Sequence, residues 1–121
     1  MMEVNIKDLV VSHHFGGGVY AKEMRFPAGH VLVQHRHAYQ HLSILGSGIA
    51  NVQCSASAIE RQFTGPCVLV IEANEHHRVE AVTDCIWYCI HATPELDATK
   101  IDETLLVPST KEELRAVLVG K

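Results

Sequence analysis

An all-β fold, a barrel or a sandwich, is what this sequence predicts. Three observations carry it. Short runs rich in β-branched and aromatic residues fill the chain up to His91. Glycine, proline and asparagine separate those runs at close intervals, as turns do. No long helical period interrupts them before Pro94.

The elements follow in order. After the glycine run Gly16-Gly17-Gly18, the segment from Val19 to Phe26 alternates apolar and polar residues. Pro27-Ala28-Gly29 marks a turn, His30 to His37 a second run and His41 to Leu45 a third. Gly46-Ser47-Gly48 is a turn of the kind that joins antiparallel strands. Ile49 to Cys54 is a further run, followed by a polar stretch through Thr64 and a break at Gly65-Pro66. Cys67 to Ile71 is β-branched and apolar, as a buried strand is. Asn74 signals a turn, Val79 to Val82 is short and apolar, Thr83-Asp84 turns the chain, and Cys85 to His91 forms the last run. The composition then changes, so residues 1–93 are expected to form the β-domain and residues 94–121 an appendage. In that tail Ser109 with Glu112, or Thr110 with Glu113, offers a capping box. Leu114, Val117 and Leu118 make the stripe of a short C-terminal amphipathic helix, expected to pack on the barrel or on a partner subunit.

The chain has 121 residues, enough for one domain. With 47% hydrophobic and 20% charged residues it can build an ordinary core. A net charge of −4 and scattered basic residues exclude nucleic acid as an expected partner, since phosphate neutralisation needs clustered Lys and Arg. No run approaches a membrane span, and no secretory leader is legible at Met1. The expected compartment is the cytoplasm. Cys54, Cys67, Cys85 and Cys89 contain no C-x-x-C pair and keep mostly apolar company, so buried free thiols are expected.

Nine histidines are many for this length. Neutral imidazole is the commonest metal ligand and suits Mn, Fe, Ni, Cu and Zn. On a strand His35 and His37 point the same way, about 7 Å apart. Two imidazoles on an inner face need partners, and one ion satisfies both. His41 follows after Ala38-Tyr39-Gln40, which can turn the chain, and His76-His77 is the source for a further ligand. Adjacent strand residues face opposite ways, so one of that pair reaches the ion.

Gly29-x5-His35-x-His37-x3-His41-x6-Gly48 resembles the first cupin motif, G-x5-H-x-H-x3-E-x6-G, with His41 at the usual Glu. Gly65 and the stretch to His77 resemble a degenerate second motif, G-x5-P-x-G-x2-H. If Asn74 stands at the motif glycine, His77 is the ligand and Glu72 replaces the proline, with one residue too many after Gly65. If the gap is kept, Ala73 replaces the glycine and His76 is the ligand. His77 is preferred, because that position needs a tight turn that Asn tolerates far better than Ala. Glu-x-Asn-Glu-x-His is also similar to small cupins with a four-histidine manganese site. The resemblance spans about residues 15–92. It implies a double-stranded β-helix, the jelly-roll cupin barrel, with the metal inside on His35, His37, His41 and His77. It also implies a homodimer.

Other histidines are expected to do less. His13-His14 reads as exposed loop, His30 as outward-facing, and His91 as structural or surface. With His in place of Glu, a bound divalent ion keeps its full charge, which makes bound water more acidic and oxygen donors more polarised. The expected function is a metal-dependent dioxygenase acting on a small molecule. Lewis-acid isomerase or lyase chemistry is the alternative, and a non-enzymatic ligand- or metal-binding module is the third possibility. Tyr39 and Ser43 are the candidate acid or base groups; Ser43 shares the face of His41 by strand parity. The small Ser43 face and Ala50 are expected to leave room for a ligand.

Overall fold

Strand alternation organises the molecule. The computed structural model describes residues 2–3, 9–34, 37–54 and 59–93, and among them there is no helix. The strands are β1 (Met2–Glu3), β2 (Val10–Gly16), β3 (Val19–Phe26), β4 (Val31–Gln34) and β5 (His41–Ser47). Then come β6 (Ile49–Cys54), β7 (Glu60–Thr64), β8 (Cys67–Ile71), β9 (His77–Ala81) and β10 (Cys85–Ala92). They form two antiparallel five-stranded sheets, ordered β1-β4-β9-β6-β7 and β2-β3-β10-β5-β8. The expected C-terminal helix, and the whole of residues 94–121, lie outside the described residues.

Local turn chemistry explains one hairpin. Gly17 and Gly18, at φ 59° and 75°, reverse the chain between β2 and β3, where side chains with a Cβ are strained. Gly46-Ser47-Gly48 does something different from the antiparallel hairpin expected of it. There β5 ends in one sheet and β6 begins in the other. Gly48 takes φ 96°, and a Cβ on it would sit 2.2 Å from the Asp84 carbonyl oxygen. The glycine serves a crossing between sheets at a crowded corner.

Inward positions are set by parity. On β10, Cys85, Trp87, Cys89 and His91 are buried and alternate with half-buried residues; on β5, His41, Ser43 and Leu45 are the buried set. Leu32, Leu45, Trp87, Met24 and Val79, each 0% exposed, fill the centre between the sheets. Ala50 belongs to this core and is fully buried, so it does not leave room for a ligand as expected. All four cysteines are free thiols; Cys85 and Cys89 are buried, Cys54 and Cys67 half-buried. The outer face of the second sheet is apolar around β5 and β8, where Leu42, Val68 and Val70 are 45%, 63% and 54% exposed.

Candidate metal centre

The apolar core stops one layer short of one end of the barrel, and histidines take its place. On the second sheet, His91 is paired with Tyr20, and His41 with Ile71. The β10–β5 ladder runs to Ile90 opposite Leu42, and the next step sets His91 beside His41. On the facing sheet His77 lies between Gln34 and Cys54 in register. Residues opposed in register share a face, so Gln34, His77 and Cys54 form the corresponding inner row.

His37 joins from a loop. β4 ends at Gln34, so His37 reaches the site from the connection that follows, not from a strand as expected. His35 lies outside the described residues. The loop is tied to the segment before β9: the Asn74 amide donates to the His37 carbonyl at 2.7 Å, and Gln40 Nε2 donates to Glu72 Oε1 at 2.9 Å. Asn74 has φ 62°, the left-handed turn that its position requires.

Three imidazoles converge here. His37, His41 and His91 are all buried, and one nitrogen from each lies within 4.8 Å of the others. Ring centroids are 4.9 Å apart for His37–His41 and 4.5 Å for both His37–His91 and His41–His91. An ion bound at Zn–N-like lengths holds its donors at most about 4.2 Å apart, so small side-chain shifts close this set on a metal. His91 is 4% exposed. It is therefore not a surface residue, and it faces the site from the last strand. His30 is 9% exposed, so it too is buried instead of outward-facing.

The donor chemistry fits a cation. Both ring nitrogens of His41 are buried with no hydrogen-bond partner, as is Nδ1 of His77. Orphaned buried polar atoms are costly unless something pairs with them. Burial, and then the neighbouring His37 and His77, hold His41 down to about 4. Burial likewise holds His77 at about 4. Burial, followed by His37 and His41, pushes His91 well below the usual histidine range. All three rings are neutral at pH 7, the state in which imidazole ligates.

Surrounding groups orient the set. The Tyr39 hydroxyl sits 3.0 Å from Nδ1 of His91, which directs the other ring nitrogen of His91 away from that bond. Burial pushes the Tyr39 phenol up to about 12, so it stays protonated. Ser43 does share the face of His41, but it is 0% exposed, one row deeper, and donates to Cys89 Sγ at 3.8 Å. His76, 2% exposed, has its Nδ1 3.2 Å from the Gln34 carbonyl oxygen. Gln34 is 2% exposed, and neither atom of its side-chain amide has a partner. Nothing in the sequence reading singled out Gln34. His91 was legible by parity with Trp87 along β10. His13 and His14 are exposed as expected but stand on β2 instead of a loop; His13 meets Tyr20 at 2.7 Å and His14 meets Glu23 at 3.1 Å.

Beside this end, a cavity of about 230 Å³ is lined by Val52, Phe63, Leu69, Ile71, Cys54 and His77 among others. A second depression, about 400 Å³, is lined by Phe26, Ser47, Asp84 and Cys85 at the other ends of their strands and includes none of the histidines.

No family model matches the sequence, and no curated protein does. Solved structures do match in shape. A cupin superfamily protein from Desulfitobacterium hafniense aligns with a TM-score of 0.61 at 13% identity, over 76% of this chain and 84% of that one. The chain folds as a cupin. An RmlC-like cupin family protein with a double-stranded β-helix fold, from Methanocaldococcus jannaschii, aligns at 0.59 and 13% identity, over 77% and 87%. The Cnp3 cupin domain of Schizosaccharomyces pombe aligns at 0.60 and 15%, over 86% and 74%. At these identities the likeness is one of fold. In this cupin barrel the described residues contain two groups that could hold a metal: His37, His41, His91, and Cys54, Glu75, His77.

Proposed function

We propose that this chain is a metal-binding cupin acting on a small molecule, with a divalent transition metal held by His37, His41 and His91. The observation that carries this is the convergence of three buried imidazoles, with both His41 nitrogens unpartnered. Of the ligands expected from sequence, His37 and His41 stay in the set. The fourth place falls to His35 or His77. A bound ion of this kind supplies Lewis acidity and, if redox-active, chemistry with dioxygen.

The chain's own residues divide the remaining work. Tyr39 orients His91 by accepting from its Nδ1–H, the tautomer that leaves Nε2 free to ligate, and as a protonated phenol it does not remove a proton. The Gln34 amide offers one donor and one acceptor to a polar substrate group. The apolar cavity beside His77 suits a small, partly apolar substrate. Among the described residues no carboxylate joins the three-histidine group, and Ser43 is buried beneath it. Proton abstraction wants a base near the metal. A metal-dependent dioxygenase therefore stands ahead of isomerase or lyase chemistry, for which Glu75 in the neighbouring group is the base at hand. The apolar outer face of the second sheet supports a homodimer, with a second copy covering Leu42, Val68 and Val70.

Elemental analysis of purified wild type, His37→Ala and His91→Ala tests the metal centre. The three-histidine centre should contribute about one equivalent of divalent metal in the wild type, and that equivalent should be lost from both variants. Unchanged metal content in the variants sinks the assignment. Oxygen uptake with the identified metal and a panel of small substrates then separates dioxygenase from Lewis-acid chemistry.

A further inference from the structure

Cys54 and His77 are directly opposed in the β6–β9 register. Parity with the buried pairs Val52–Val79 and Ala50–Ala81 puts both on the inner face. Glu75 lies in the loop two residues before His77. One donor atom from each of Cys54, Glu75 and His77 lies within 4.8 Å of the others. This group shares no member with the three-histidine set. A second, independent fact points to an occupant: His77 is 6% exposed, and its Nδ1 is buried with no partner. Cys54 and His77 also line the 230 Å³ cavity, so the group has an approach from outside.

The geometry points to a second metal site in the barrel, formed by Cys54, Glu75 and His77. The donor chemistry selects the occupant. One thiolate, one imidazole and one carboxylate suit a borderline-soft divalent ion, above all Zn²⁺, and poorly suit Mg²⁺ or Ca²⁺. Three protein donors leave a fourth tetrahedral position for water or a substrate atom, the pattern of an open zinc site. The cavity side chains Val52, Phe63, Leu69 and Ile71 flank that position with apolar surface. A neutral imidazole donates one lone pair, so His77 in this site leaves the fourth place of the three-histidine centre to His35 or to water.

Cobalt(II) is the probe, because thiolate ligation gives it a charge-transfer band in the near ultraviolet that imidazole ligation does not. The full chain, reduced and stripped of metal by chelator, is titrated anaerobically. Two cobalt ions per chain are expected, one of them bringing the thiolate band. Cys54→Ser should abolish the band and leave one ion. His91→Ala should keep the band and lose the other ion. His77→Ala should lose the band, with circular dichroism and thermal midpoint showing the barrel intact; Glu75→Gln, a half-buried loop change, should weaken the band-forming ion without touching the core. Absence of a thiolate band at saturating cobalt overturns the site. So does a single ion whose band is lost in Cys54→Ser and His91→Ala alike. Loss of the first ion alone in His91→Ala reports on the three-histidine centre and leaves the second site standing, so the two failures are distinguishable.

Discussion

The Tyr39 hydroxyl and Nδ1 of His91 meet at 3.0 Å, joining a loop residue of the barrel mouth to the last strand. That bond settles the orientation of His91 beside His41. Partners of this kind typically account for 10–100-fold in metal affinity. Tyr39→Phe should therefore weaken the ion at the three-histidine centre by about 10-fold or more, with little change in fold. Competition against a chelator of known affinity measures it. Equal affinity in the variant would mean that Tyr39 is a packing residue.

Asn74 at φ 62° supports the same mouth from the other loop, through the hydrogen bond its backbone N–H donates to the His37 carbonyl. Asn74→Ala should cost about 1–2 kcal/mol, because Ala carries the left-handed penalty without compensation. Asn74→Gly should be close to wild type. Denaturant midpoints of the pair decide this; similar losses in both would remove φ as the cause.

Acid should destabilise the metal-free barrel. Above pH 6.5 the imidazoles of His41 and His77 are neutral in folded and unfolded chains alike. Below it the unfolded chain takes protons that the folded one refuses until about pH 4. Stability should thus fall from pH 6.5 to about 4 and level out below. The span corresponds to roughly 3 kcal/mol per histidine as an upper bound. Thermal midpoints across that window are the measurement. The slope should be shallower in His41→Asn; an identical slope would say the ring titrates freely.

Metal should oppose that loss. At a free ion concentration 100 times its Kd, binding to the native state alone adds about 2.7 kcal/mol. Removing metal with chelator should lower the wild-type midpoint by more than that of His41→Ala, which lacks the three-histidine ion. A chelator effect of equal size in both would place the stabilising ion elsewhere.

Val68 and Val70 are exposed on β8, beside Leu42 on β5. Val68→Lys with Val70→Lys should shift the protein from dimer to monomer in light scattering while the fold is retained. A monomeric wild type would leave this apolar face unexplained by self-association.

Much of the barrel was legible because several of its strands carry strong local signals. Val19–Phe26, Ile49–Cys54 and Cys67–Ile71 match β3, β6 and β8 as observed. β2 and β7 were not read as strands. Both are edge strands, and β7 exposes most of its length, so neither needs two apolar faces. The Gly46–Gly48 turn was misread because local chemistry reports that the chain turns, not which sheet receives it. The same limit hid the site's third histidine. Parity along β10 puts His91 inside, but only the pairing of β5 with β10 brings it to His41. His37 was found by spacing, although the strand argument for its direction did not apply, since β4 ends before it.

That pairing has a kinetic consequence. His41 and His91 come together only when β5 docks against β10, a contact spanning most of the domain in sequence. Closures of such long range are slow and come late. The converged donors do not exist in the unfolded chain, so an ion has nothing of comparable strength to grasp before the sheets close. An ion bound there would therefore load onto a finished barrel instead of seeding it, and refolding should proceed at the same rate with or without it.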